Sequence, residues 1–380
     1  MKFFINSLEG TFLERPNRFI VWADTNKGKI RAHCPNPGRL LELLIPGRRI
    51  ILEKGAAPGR KTEYTLVGVY YKNKVVPLYS ARANNIVSNL VIPQLFTGVQ
   101  KVIPEKTIDS SRFDFFITTK TDSIFLEVKA CTLVENGIAM FPDAPTVRGK
   151  RHVDELAALP KKYGGRYKGH IVFLIADPDC RHFVPNIHTD PAFSRALQSA
   201  EKNTTIHAVS SRTFPDGTME IVRTDIPVHY GPVDWTIKDT GSYLLIIHIK
   251  EEKNLQIGSL GILCFHKGYY CYIGSALQHL HHRMKRHLKK KKPSHWHIDY
   301  LTKEGNVVSS FPIYNPVRQE CNIALEIKTI ADFEMRGFGS SDCSCRSHLY
   351  YFKDNPKYLE PFVNVLFIFR HSPQLTMETW

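Results

Sequence analysis

The first 80 residues constrain the fold most, because their apolar side chains come only in short runs, each cut off by Gly, Pro or Asn turns. Residues 11–14, 19–23, 29–32, 48–52, 64–71 and 74–78 suit strands better than helices. Short strands at that spacing predict a small barrel over residues 1–81, with the oligonucleotide-binding type as the leading candidate. From about residue 82 the pattern changes. Residues 83–96 read as a helix interrupted at Pro93, 148–159 as a helix stopped by Pro160, and 191–201 as a third helix. Residues 113–118 and 124–128 read as a hairpin, and 170–175, 205–211 and 219–222 as further strands. Strands interleaved with helices predict an α/β sandwich over residues 82–230, ended by a Pro-rich linker at 227–232. A third, smaller α/β unit is expected over residues 236–355. The apolar run 362–369 in the remaining tail, 356–380, reads as a buried strand.

Composition narrows the function. A chain with 43% hydrophobic residues can bury two or three cores, and 51 Lys+Arg against 36 Asp+Glu leave it at +15. Such a surplus attracts polyanions. Residues 1–232 hold 32 basic and 22 acidic side chains and the remainder 19 and 14, so neither part is an acidic tail. The opening Met1-Lys2-Phe3-Phe4-Ile5-Asn6 is too short an apolar run for a signal peptide, and 362–369 is too short to cross a bilayer. Eight scattered cysteines are too few for a disulfide scaffold. These features predict a cytoplasmic protein without a membrane partner; oligomeric state is not legible.

The hairpin carries the first candidate site. Strand alternation puts Glu127 and Lys129 on one face. A turn over residues 120–123 would pair Phe115 with Val128 and Asp114 with Lys129, leaving Glu127 diagonally beside Asp114. Two converging carboxylates repel unless a cation intervenes, and Mg²⁺ or Mn²⁺ suits an oxygen-rich pair. The ion could activate a water against a phosphodiester, with Lys129 orienting that water or offsetting phosphate charge. Asp114, Glu127 and Lys129 are therefore the candidate catalytic set, and the first two the metal ligands. Thr146 is a suitable N-cap for the following helix, on which Arg148, His152 and Glu155 fall along one stripe. In the barrel, Arg15, Arg18, Arg31 and Arg39 interleave with Phe12, Phe19 and Trp22, as on a strand-binding face. Arg18, Arg39, Arg148 and His152 are the candidate nucleic-acid contacts.

At these residues the sequence resembles a known family. Asp114, the run Leu126-Glu127-Val128-Lys129, Cys131 to Glu135, and Phe141-Pro142-Asp143-Ala144-Pro145-Thr146-Val147-Arg148-Gly149 resemble the sugar fermentation stimulation protein A family. Asn17-Arg18-Phe19 and His33-Cys34-Pro35-Asn36-Pro37-Gly38-Arg39 match it too, and the resemblance spans about residues 1–230. It implies an oligonucleotide-binding barrel joined to a PD-(D/E)xK nuclease-like domain, an association with DNA binding, and a DNA/RNA nuclease whose signature falls on Asp114, Glu127 and Lys129. Glu105 is a further, weaker acidic candidate.

Residues 241–350 carry a second pattern. Leu277, Leu280, Met284 and Leu288 fall at helical spacing, with Arg283, His287 and Lys290 read as the opposite, basic stripe and the run 289–292 as its solvated end. Tyr243, Tyr272, Gly274, Arg283, His287 and Glu320 resemble a small family distantly related to GIY-YIG endonucleases. The pattern departs from them at Ser242 and in the wide spacing of the two tyrosines, so binding is expected there ahead of turnover. Cys343, Cys345 and His348 offer three zinc ligands, but the C-x-C spacing is tight and no fourth ligand is identifiable, so zinc is not expected. The reading that results is a nucleic-acid-binding protein, a metal-dependent DNA/RNA endonuclease or exonuclease. The alternative is a non-catalytic DNA-binding regulator that retains the nuclease fold.

Overall fold

Alternation builds the barrel. In β1 (Ser7–Asn17), β2 (Ile20–Thr25), β3 (Gly28–His33), β4 (Arg49–Lys54) and β5 (Tyr64–Tyr71), inward side chains such as Phe12, Val21, Ala32, Ile50 and Leu66 form one core. The strands pair antiparallel in the order β3-β2-β1-β4-β5, and a parallel contact of Ala32 with Tyr64 and His33 with Thr65 closes the sheet on itself. These features come from a computed structural model describing residues 1–55 and 61–375. The chain forms two units, Met1–Val233 and Asp234–Trp380.

Strand β6 (Lys74–Pro77) pairs with β5 and touches the second sheet of the same unit through Val75 and Thr213. That sheet comprises β7 (Lys101–Ile108), β8 (Ser111–Thr118), β9 (Ser123–Cys131), β12 (Lys168–Ile175) and β14 (Thr204–Thr213), with β15 (Met219–Arg223) on β14. A short sheet of β10 (Val134–Glu135), β11 (Ile138–Phe141) and β13 (His182–Pro185) lies apart. β7, β8 and β9 form an antiparallel meander, while β9, β12 and β14 run parallel. β12 is buried on both faces, as a strand covered by helices must be. One cover is the continuous helical segment α1 (Ala83–Ile86), a π turn (Val87–Val91) and α2 (Ile92–Leu95), packed on Leu126 and Val128. Pro93 falls just after the π turn, and the helical segment continues past it to Leu95. The other cover is α3 (Val147–Lys162) and α4 (Pro191–Ala200), packed on Phe125 and Phe173. α3 continues past Pro160 to Lys162 instead of stopping there. A Cβ at Gly169 would lie 2.6 Å from the Leu156 carbonyl oxygen, so glycine permits α3 to sit this close to β12.

The second unit has α5 (Trp235–Lys238), then β16 (Gly241–Ile249), the hairpin β17 (Lys253–Gln256) and β18 (Ile262–Phe265), and β19 (Gly268–Ala276). They are followed by α6 (Leu280–Leu288), α7 (His297–Glu304), β20 (Asn306–Tyr314), α8 (Glu320–Ile330), β21 (Phe333–Glu334), β22 (Leu349–Phe352) and α9 (Glu360–Leu375). Its antiparallel sheet runs β20-β16-β19-β22-β21. The expected strand at 362–369 is instead part of α9. Phe362, Val363, Val365 and Leu366 are buried while Asn364 is exposed, a helical stripe that the aromatic and β-branched content disguised. Phe362 packs on Phe311 of β20, so α9 belongs to this unit; residues 376–380 of the expected tail lie outside the described residues.

Candidate active site and a second cleft

The turn that sets the hairpin register is made by Thr119. Its N–H donates to the Asp122 carbonyl (2.9 Å) and its hydroxyl oxygen accepts from the Asp122 N–H (3.0 Å). The ladder therefore closes at Thr118 with Ser123, and Phe115 pairs with Leu126, not with Val128 as the later turn would require. A slip of two residues preserves the face. Phe116 pairs with Phe125, so Asp114 falls opposite Glu127 on the face that also carries Lys129. At Asp114 the strand ladder gives way to the side chain: Oδ2 accepts from the Val128 N–H and Oδ1 from Asn84 Nδ2, both at 2.7 Å.

Glu127 is buried, and its Oε1 accepts from Lys129 Nζ (2.5 Å) and contacts His152 Nδ1 (2.7 Å). Arg148 Nε donates to His152 Nε2 (3.4 Å), which assigns the imidazole proton to Nδ1 and makes the His152–Glu127 contact a donated hydrogen bond. Glu127 Oε2 is buried with no hydrogen-bond partner among the described residues. Burial raises the Asp114 pKa, and the negative charge of Glu127 raises it further. For Glu127 burial also pushes upward, but the His152 hydrogen bond and the Lys129 charge outweigh it, so its pKa lies below the ordinary value. The two carboxyls are thus held apart in proton affinity.

These groups face a cleft of about 510 Å³ shared by the barrel and the α/β sheet, and Arg18 and Arg148 line it. Arg39 is exposed but not among its lining residues, and His152 is too buried to meet a ligand; its role passes to holding Glu127. Glu155 pairs with Arg151 (3.8 Å) and does not line the cleft, and Glu105 pairs with Arg112 (3.5 Å) away from it. Thr146 caps α3, accepting from the Gly149 N–H at 3.0 Å. In the barrel, the Arg15 guanidinium donates to the carbonyls of Arg18, Asn36, Gly38 and Arg39, so it braces the loop and is not a free phosphate contact. Phe12 is core, Phe19 is exposed, and Trp22 is half-buried beneath Lys29. Two cleft residues were missed as site candidates. Asn84 lies far from the hairpin in sequence, and Asp143, inside the quoted Phe-Pro-Asp motif, accepts from the Leu40 N–H at 2.7 Å.

In the second unit Tyr243, Tyr272, Arg283, His287 and Glu320 line one cleft of about 310 Å³. Tyr243 and Gly274 are direct cross-strand partners, and a Cβ at Gly274 would lie 2.5 Å from the Tyr243 hydroxyl oxygen. Ser242, the departure from the expected motif, is buried and accepts from the Gln319 N–H (3.3 Å), tying β16 to the start of α8. Tyr243 Oη is 2.9 Å from His287 Nε2, and Asp299 lies 3.5 Å from Nδ1. His287 shares the buried stripe of Leu280 and Met284, so the expected opposition of that stripe to the basic one fails at this residue. Burial lowers its pKa. Arg283 stays at the cleft, donating to the Ser275 carbonyl (2.7 Å) with its guanidinium over Trp296. Glu320 is buried; Oε1 accepts from Arg318 Nε (2.8 Å) while Oε2 has no partner among the described residues. The lysine run after α6 is not simply solvated. Lys292 folds back onto the Arg286 and His287 carbonyls, and Leu277 and Leu288 are exposed.

A closed barrel of the oligonucleotide-binding class, continuous with a mixed α/β sheet that carries the carboxylate–lysine cluster, defines the first unit. Residues 13–78 match the SfsA N-terminal OB domain and residues 81–217 the sugar fermentation stimulation protein RE domain. The chain belongs to the sugar fermentation stimulation protein family. It is 43% identical over 196 residues to a homolog from Ruminiclostridium cellulolyticum, spanning 51% of this chain and 85% of the relative. A homolog from Methanothermobacter thermautotrophicus is 36% identical over 200 residues, 52% of this chain and 82% of the relative. The solved structure of Pyrococcus furiosus SfsA in complex with Ca²⁺ is 31% identical, with a TM-score of 0.53, over 60% of this chain and 99% of that one. Residues 242–369 match DUF123, a domain of unknown function. Among the described residues no helix is long and apolar enough to cross a membrane.

Proposed function

We propose that this protein binds DNA or RNA and hydrolyses its phosphodiester bonds with a divalent metal, Mg²⁺ or Mn²⁺, held by Asp114 and Glu127. The observation that carries this reading is the buried Glu127 Oε2, without a partner among the described residues, on the same cleft as Asp114 and Lys129. A buried carboxylate oxygen left unpaired is costly, and a hard cation is the group that an acidic pair of this kind accepts. The P. furiosus relative in complex with Ca²⁺ supports a divalent ion in the family. When bound, the ion supplies Lewis acidity toward a phosphoryl oxygen and a more acidic water. The protein's own groups do the rest. Asn84 and the Val128 N–H fix the Asp114 carboxylate, His152 fixes Glu127, Lys129 stands beside the pair to counter charge developing on phosphate, and Arg18 and Arg148 hold the backbone at the cleft.

The second unit is read as a GIY-YIG-like nucleic-acid site, supported by the convergence of its two tyrosines, Arg283 and the unpaired oxygen of Glu320. Charge reversal at Arg283 is expected to weaken nucleic-acid binding by the full chain. The alternative for the whole protein is a non-catalytic binding regulator, and a cleavage assay separates the two. Purified protein incubated with labelled single- and double-stranded DNA and RNA should cut at least one substrate with Mg²⁺ or Mn²⁺ and none with EDTA. Tight binding without metal-dependent cutting of any substrate would favour the regulator.

A further inference from the structure

Helix α8 brings a fourth metal-ligating side chain to the C-x-C loop. Cys321, the second residue of that helix, is brought to Cys343, Cys345 and His348, and their three sulfurs and one imidazole nitrogen all lie within 4.8 Å of one another. His348 Nε2 is 3.5 Å from Cys343 Sγ and 3.9 Å from Cys321 Sγ. A tetrahedral zinc with Zn–S near 2.3 Å and Zn–N near 2.0 Å separates its sulfur and nitrogen ligands by about 3.5 Å. The two sulfur–nitrogen separations are close to that length, and the four donors are near enough to one another to converge on a single ion. The loop is also built to hold them: the Gly337 N–H donates to the Arg346 carbonyl (2.8 Å), closing residues 337–346 into a short excursion that carries both loop cysteines, and the His348 N–H is fixed on the Phe338 carbonyl (2.8 Å).

We propose that Cys321, Cys343, Cys345 and His348 form a closed, structural Zn²⁺ site. Three thiolates and an imidazole select a borderline-soft cation over Mg²⁺ or Ca²⁺, and four protein ligands leave no open position for catalysis. The ion joins the first turn of α8 to the loop before β22. Glu320 adjoins Cys321 and Asp342 adjoins Cys343, and both line the cleft of this unit, as does His348. The metal thus fixes one lip of that cleft. A separate exposed group, Glu252, Cys264 and His266, offers only three donors and serves as a control.

The test uses the full chain, purified without chelator. One zinc per chain should be released by a thiol-specific mercurial. Replacement by Co²⁺ should give the strong visible absorption of tetrahedral cobalt with a thiolate charge-transfer band. The double variant C321S/C343S should lose the zinc, and Cys264→Ala should keep it. Zinc retained by the double variant would overturn the proposal, as would wild-type protein whose cobalt spectrum lacks thiolate bands. A disulfide among these cysteines in the wild-type protein as isolated, with no zinc bound, would overturn it as well. The cobalt spectrum is read on the wild type, so the answer does not depend on the variants folding.

Discussion

His152 was legible as a polar residue on a helical stripe, but nothing in its spacing told whether that stripe faced water or the hairpin. Packing against Glu127 decides the matter, and the consequence is measurable. Replacing His152 with Ala should weaken divalent-metal affinity by about 10- to 100-fold, the usual cost of losing a group that orients a metal ligand, read by calorimetric titration. Asp114 adds a pH dependence. Its carboxyl pKa is raised by burial and by Glu127, so a proton competes for it above the ordinary aspartate range, and the metal proposed there would have to displace that proton. Metal affinity should therefore rise with pH through the raised Asp114 pKa and level off once the carboxyl is ionised. A flat profile from the acid side to neutrality would remove Asp114 from the ligand set. In the second unit Asp299 was not singled out, although it is fully buried between Arg286 (2.8 Å), Lys292 (3.6 Å) and the N–H groups of His295 and Trp296. Burial raises its pKa, but bonds from His287, those N–H groups and Arg286 bring it below the ordinary value. Its stabilisation is then complete above the unfolded carboxylate pKa and is lost as pH falls through the lower folded one. Asp299→Asn should destabilise this unit by about 3 kcal/mol at neutral pH, because two cations lose their counter-charge, with a smaller difference in strong acid.

At the scale of elements, strand alternation made Glu127 and Lys129 readable as neighbours on one face, because a period of two survives any register. The register itself was not readable, since it depends on which threonine closes the turn, and Thr119 does so through its own hydroxyl. The six short runs near the N-terminus spelled a barrel because each was bounded by its own turn. The run at 362–369 spelled the wrong element, because an amphipathic helix of Phe, Val, Leu and Ile has the composition of a strand, and only its buried stripe distinguishes it. Cys321 could not be paired with Cys343 and Cys345 from spacing, because α8, β21 and a loop intervene. The close pairing of β16 with β19 gives a further test. Gly274→Ala places a methyl against the Tyr243 ring between two strands that cannot separate, and should cost about 1–3 kcal/mol in thermal unfolding of the second unit. Unchanged stability would mean that Tyr243 is free to move, and with it the geometry proposed for that cleft.

For the whole molecule, the surplus of +15 is spread over both parts of the sequence, so nucleic-acid affinity should fall steeply with salt as phosphate contacts by Lys and Arg release counterions. Affinity unchanged between low and physiological salt would point instead to a protein or small-molecule partner. Fold class was largely legible because it depends on patterning spread along the chain. The candidate site was legible in its hairpin residues and in Arg18 and Arg148, while Asn84, Asp143 and the cleft between barrel and sheet are products of tertiary packing. The most direct measurement compares wild type with D114N/E127Q, following cleavage and affinity side by side on the same labelled nucleic acids with Mg²⁺ or Mn²⁺. The account predicts that the variant loses metal-dependent cleavage while binding as tightly as wild type or more tightly, because negative charge facing the phosphates is removed. Cleavage by the double variant at the wild-type rate would contradict it.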